Sequence, residues 1–132
     1  MKFSIEAQHT GPDPLMELVT CLQHSRTTAQ MQHWKTASRS DHQALNFFYD
    51  TLPPLLDTFV ESFQGKYGKL TDYILDYKLS GAEPLSYMTA LADEVETLRR
   101  AEGFPQDSWL QNQVDTMVQV IYQTVYQLRD LK

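Results

Sequence analysis

The stretch LQNQVDTMVQVIYQTVYQLRDL, residues 110–131, decides the fold. Leu110, Val114, Met117, Ile121, Thr124, Leu128 and Leu131 follow an unbroken alternation of four and three, the spacing of a helix that buries one seam in a bundle. Its β-branched residues lower intrinsic helix propensity, but the seven-residue pattern outweighs that weak preference. Asp107 sits where it would cap this helix. Three further stretches carry the same kind of pattern. In the first, Asp13 and Pro14 form a start signal, because Asp accepts from the open amides of the first turn and Pro has no amide to satisfy. Leu15, Leu18, Leu22, Ala29 and His33 then make one stripe running to about Thr36.

Lys35 to Asp41 reads as a polar connection, and Ser40 with Gln43 three residues later reads as a capping box that opens the second helix. Its stripe is Leu45, Phe48, Leu52, Leu56, Phe59 and Phe63, closing at Gly65 and Gly68. Pro53 and Pro54 interrupt this run, which means one kinked helix or two shorter ones; the kinked helix is the preferred reading. Residues 70–79 alternate partly as a strand (Tyr73, Leu75, Tyr77, Leu79) and equally suit a short helix. Pro84 opens the third helix, with Leu85, Met88, Leu91, Val95 and Leu98 inward and Gly103 and Pro105 as its stop.

Four helices with a long connection between the second and third predict an all-α, ferritin-like four-helix bundle with a crossover over residues 69–82. Residues 1–12 read as a polar arm, and at 132 residues the chain has room for a single domain. One cysteine, Cys21, excludes an intrachain disulfide and a polythiolate zinc site, which fits a cytoplasmic protein. No apolar run is long enough to span a membrane. With 11 basic against 17 acidic residues, a net charge of −6, nucleic acid is not an expected partner.

There is no phosphate-cradling loop, nucleophile elbow or Cys-x-x-Cys. The candidate chemistry lies in His33, His42, Asn46, Asp57 and Glu61. At about 100° per residue, His42, Asn46, Tyr49, Pro53, Asp57 and Glu61 share roughly one third of the second helix's circumference. His42 and Asp57 are nonetheless about 22 Å apart along that axis, so one chain cannot close a site from them. Two antiparallel copies of the second helix could, and imidazole with carboxylates suits ferrous iron or another first-row metal. The expected assembly is therefore a homo-oligomer through the second helix, at least a dimer.

His33-Trp34, then His42, then Asp57-x-x-x-Glu61 resembles the motif of the Dps-like miniferritins, and the helix order is similar across most of the chain. The resemblance implies an iron-binding protein with a ferroxidase or iron-storage site between subunits, His33 and His42 from one and Asp57 and Glu61 from the other. Trp34, Asn46 and Tyr49 would support the ligands. The short length and divergent flanks also resemble small Dps-like proteins of bacteriophages, which would place the protein in the host cytoplasm. Two departures stand out: the His33–His42 junction is short for the family, and Asn46 stands where a ligating Asp is usual.

Those departures favour a rival reading, a noncatalytic phage-type bundle that is structural or binds a partner. His33 on an apolar stripe is also what a hydrogen-bonded core histidine looks like, and Asp57 and Glu61 suit a solvated face. His24 falls on the opposite side of its helix and is expected at the surface. Cys21 reads as a small apolar residue. Trp34, Tyr49, Tyr73 and Tyr77 suit either an interface or the core. Asp93, Glu94 and Glu96 read as solvated.

Overall fold

A computed structural model describes residues 13–132, so the N-terminal arm, residues 1–12, lies outside the described residues. Among the described residues four helices make up the regular structure: α1 (Pro14–Lys35), α2 (Arg39–Tyr67), α3 (Pro84–Leu98) and α4 (Ser108–Asp130). The described residues contain no strand. The chain is an all-α four-helix bundle.

Cap chemistry explains most of the boundaries. Asp13 accepts a hydrogen bond from the Leu15 amide at 3.0 Å, and Pro14 takes the first helical position. The expected Ser40–Gln43 box is corrected by one register: Ser38 is the cap, its Oγ accepting from the Asp41 amide at 3.2 Å. Ser40 is already helical and its hydroxyl meets that of Ser38 at 3.0 Å. α2 passes through Pro53 and Pro54 as one element, as the single-helix reading expects. It ends at Gly68, whose φ of 96° is open to glycine at little cost.

Asp107 occupies the cap position of α4 but makes no capping bond, which corrects the expected role. Its carboxylate is engaged elsewhere: Lys66 Nζ pairs with one oxygen and the Tyr67 hydroxyl donates to the other at 2.7 Å. Lys66, then Tyr67, hold the Asp107 carboxyl below its ordinary range, and Asp107 raises Lys66. The link is thus present above the usual carboxylate range and lost as pH falls through the depressed value.

Side-chain links also give the directions of the helices. Gln32 near the end of α1 donates to the Ala82 carbonyl just before α3. Lys66 at the end of α2 meets Asp107 at the start of α4, and Lys132 beyond α4 meets Asp41 at the start of α2 at 2.8 Å. α2 and α3 therefore run parallel to each other and antiparallel to α1 and α4. α1 packs on α2 and α3, and α4 on the same two, leaving α2 and α3 on a diagonal. That arrangement requires the second connection to return the whole length of the bundle.

The returning segment, residues 68–83, is neither of the two forms expected for it: it has no regular structure. It is pinned at intervals. The Leu70 amide donates to Gln64 Oε1 at 3.0 Å, the Tyr77 ring stacks on His24 at 4.3 Å, and Gln32 holds Ala82. Between the first two pins, residues 71–76 are all exposed. The His24 stack also corrects the surface role expected of that histidine, which is half-buried under Tyr77.

The core follows the predicted stripes in the main, with Leu85 and Leu98 of α3 only partly buried and Val19, Ala44, Phe104 and Val120 added to it. Leu15, Leu18, Leu22, Leu45, Phe48, Leu52, Phe59, Met88, Leu110, Val114, Met117 and Ile121 have essentially no exposure. Leu131, expected on the seam of α4, lies past the helix end and is exposed. Cys21 is buried with its thiol donating to the Leu18 carbonyl at 3.3 Å, and burial pushes its pKa far up, which leaves an inert, core-like thiol.

Candidate functional site

α1 ends and α2 begins within a three-residue turn, and this brings His33 and His42 face to face. His33 Nδ1 donates to the His42 carbonyl at 2.8 Å, and His42 Nδ1 donates to the His33 carbonyl at 3.0 Å. A carbonyl only accepts, so both rings carry their proton on Nδ1. The rings stack with centroids 3.5 Å apart, and Tyr49 meets His33 edge-on at 5.2 Å. His33 is 8% exposed, whereas His42 is exposed.

The reason for this arrangement is local. The last four carbonyls of a helix have no intrahelical donor. His33 belongs to that last turn of α1, and His42, in the first turn of α2, supplies the missing hydrogen. The His33 ring returns the bond to the spare lone pair of the His42 carbonyl. The pair therefore clamps the α1–α2 turn from both sides.

Tyr49 extends the cluster along α2: its hydroxyl donates to Asn46 Oδ1 at 2.8 Å, and Asn46 Nδ2 donates to Asp50 Oδ2 at 3.2 Å. Asn46 thus bridges a tyrosine and a carboxylate on its own helix. Asp50 is the residue that sequence reasoning missed; its position four after Asn46 was the available signal. Trp34, although adjacent to His33 in sequence, is 69% exposed.

Asp57 and Glu61 do not join this cluster. Both are exposed on α2, four and five turns from His42, the separation its helical rise requires. Asp57 lines a cleft of about 820 Å³ together with Val19, His24 and Arg26 of α1, Val60 of α2 and Leu75 of the crossover. A second cleft, about 430 Å³, opens between the end of α1 and the start of α3. Neither is lined by His33 or His42. Among the described residues, no three of His, Cys, Asp and Glu are grouped so as to hold one metal ion.

On α3, Glu96 pairs with Arg99 and Arg100. Glu94 is an exposed residue whose pKa is raised by partial burial and by Glu17 across on α1.

A protein-family model matches residues 33–128, well over half of the chain, and its description is a family of unknown function, DUF5856. The chain belongs to DUF5856. The matched span begins at His33 and takes in the histidine clamp, α2, the crossover, α3 and nearly all of α4. A relative from Enterobacteria phage T4, described as an uncharacterized 14.6 kDa protein in the mobD-ri intergenic region, is 27% identical over 129 residues. That alignment covers 97% of this chain and 98% of the relative. No solved structure matches the chain. The T4 relative fits the phage part of the expectation; neither its description nor that of the family mentions iron or ferritins. No helix among the described residues is long and apolar enough to cross a membrane.

Proposed function

We propose that the chain is a noncatalytic phage-type helical bundle that acts in the host cytoplasm by binding a protein partner. The observation that carries this reading is the clamp: the two histidines that stand out in the sequence are tied to each other's carbonyls across a turn, and they cap a helix end. Their role in the fold accounts for both residues without any ligand. The T4 likeness supports the phage assignment. The net charge of −6 disfavours a nucleic-acid partner. Exposed large side chains, among them Trp34, Leu75, Tyr122 and Tyr126, supply the kind of surface a protein partner uses.

Iron binding is the second reading, and one observation favours it. No hydrogen bond among the described residues engages Nε2 of His33 or His42, and a carbonyl on Nδ1 is the usual support for an imidazole that ligates through Nε2. The donors fit a ferrous ion in kind but not in place, since one chain leaves Asp57 and Glu61 remote. They would have to come from another copy assembled through α2.

His33→Ala distinguishes the readings. It deletes a buried ring and its bond to the His42 carbonyl, so the variant should lose about 2 kcal/mol in metal-free, chelator-treated buffer. Denaturant unfolding measures this. Unchanged stability without metal, together with loss of a ferrous-dependent stabilisation seen in the parent, would favour the iron site over the clamp.

A further inference from the structure

We infer that residues 71–80 of the crossover form a strap that lifts off the seam between α1 and α3 while the four helices stay folded. A connection as long as this one, with no regular structure of its own, is uncommon inside a compact bundle. A segment is held down by backbone hydrogen bonds and by buried contacts, and where both are sparse it opens separately from the rest of the fold. Both are sparse here. Among the described residues, no hydrogen bond between main-chain groups involves residues 69–82. The Leu70 amide and the Ala82 carbonyl bond to the side chains of Gln64 and Gln32 instead, which pins the strap at its two ends. At Gly81, beside the second pin, an added Cβ would meet no atom within 4 Å, so the chain has room to turn there.

Between the pins, Tyr77 and Leu79 alone are partly buried, and the rest of residues 71–81 are exposed. Tyr77 stacks flat on His24 of α1, with ring centroids 4.3 Å apart and planes 2° from parallel. It also lies near groups that the bundle hides. Burial first, then Cys21 of α1 and Glu94 of α3, raise the Tyr77 pKa, and Tyr87 of α3, raised chiefly by its own burial, feels Tyr77 as well. Cys21 is 2% exposed and Tyr87 9%. Tyr77 is therefore the lid of the seam, and one ring on another is its main hold. Lifting the strap bares His24, Cys21 and Tyr87, a surface that the closed bundle withholds.

Cys21 is the single cysteine of the chain, so its alkylation reports the opening. A buried thiol reacts only from conformations that expose it. The test is the rate of iodoacetamide labelling, followed by mass spectrometry at constant pH over a series of urea concentrations below the unfolding transition. Lifting a strap exposes little surface, so the rate should be nearly flat in low urea and should take on the steep dependence of global unfolding only near the transition. Tyr77→Ala should raise the rate in the flat region at least ~10-fold, because the stack and the ring's burial are both lost, with the circular dichroism spectrum unchanged. Leu75→Ala, on the same segment but with a side chain 91% exposed in the parent, should leave the rate as it is. A parent rate that follows global unfolding down to zero urea overturns the inference, as does a Tyr77→Ala rate equal to that of the parent.

Discussion

Phe48→Ala should lower the unfolding free energy by about 3–5 kcal/mol, the largest single effect expected in this chain. Phe48 has no exposure and belongs to the cluster that joins all four helices. Truncation removes the transfer energy of the ring and leaves a void that close-packed neighbours fill only in part. Against a typical stability of about 5–15 kcal/mol, that loss is a large share of what holds the fold together. Urea titration followed by far-ultraviolet circular dichroism gives the value. A loss under about 1 kcal/mol would mean that Phe48 is not in a packed core.

Arg99→Ala should cost about 2–3 kcal/mol, because one side chain ties the end of α3 to α4 through several acceptors. The Arg99 side chain is only 11% exposed. Its Nε donates to Gln111 Oε1 at 2.9 Å, and its Nη2 donates to the Gln111 carbonyl at 3.1 Å and to Asp115 at 2.5 Å. Nη1 meets Glu96 at 3.2 Å. Gln111 answers by donating to the Arg99 main-chain carbonyl at 3.1 Å, a bond the variant keeps; truncation instead strips a donor from Gln111 and Asp115 of α4 and from Glu96 of α3. Arg99→Lys should recover little, since a single ammonium cannot reproduce the fork. Asp115 is half-exposed, and Asp115→Ala alone should cost under about 1 kcal/mol. Chemical denaturation of the three variants side by side checks the order; equal losses for Arg99→Ala and Asp115→Ala would assign the effect to one surface ion pair.

The helices were legible because each announces itself within one turn. The stripe from Leu110 to Leu128 is buried throughout, and Asp13 and Gly68 act at the ends where their chemistry suggests. Ser38 was missed in favour of Ser40 because two serines two apart offer equivalent caps, and the choice depends on how tightly the α1–α2 turn closes. That turn is set by the histidine clamp, whose bonds run between residues nine apart and follow no helical period. The crossover was unreadable for a related reason. Its conformation is fixed by pins from Gln64, His24 and Gln32, none of which has a counterpart in the alternation of residues 70–79.

The histidines were singled out as metal-ligand candidates, and His33, lying on an apolar stripe, also read as a hydrogen-bonded core histidine; within one chain each ring is bonded to the other residue's carbonyl. The expected link to Asp57 and Glu61 depends on a second molecule, which spacing along one helix does not test.

Anaerobic titration with ferrous ion, followed by admission of oxygen and measurement of the oxidation rate and of the native mass, bears most directly on the claim that this bundle does no metal chemistry. A noncatalytic bundle should show no saturable ferrous binding, no change in mass beyond the protein itself, and oxidation at the rate of buffer alone. Stoichiometric ferrous binding to an oligomer with faster oxidation, both lost in Asp57→Ala/Glu61→Ala and in His42→Ala, would contradict it.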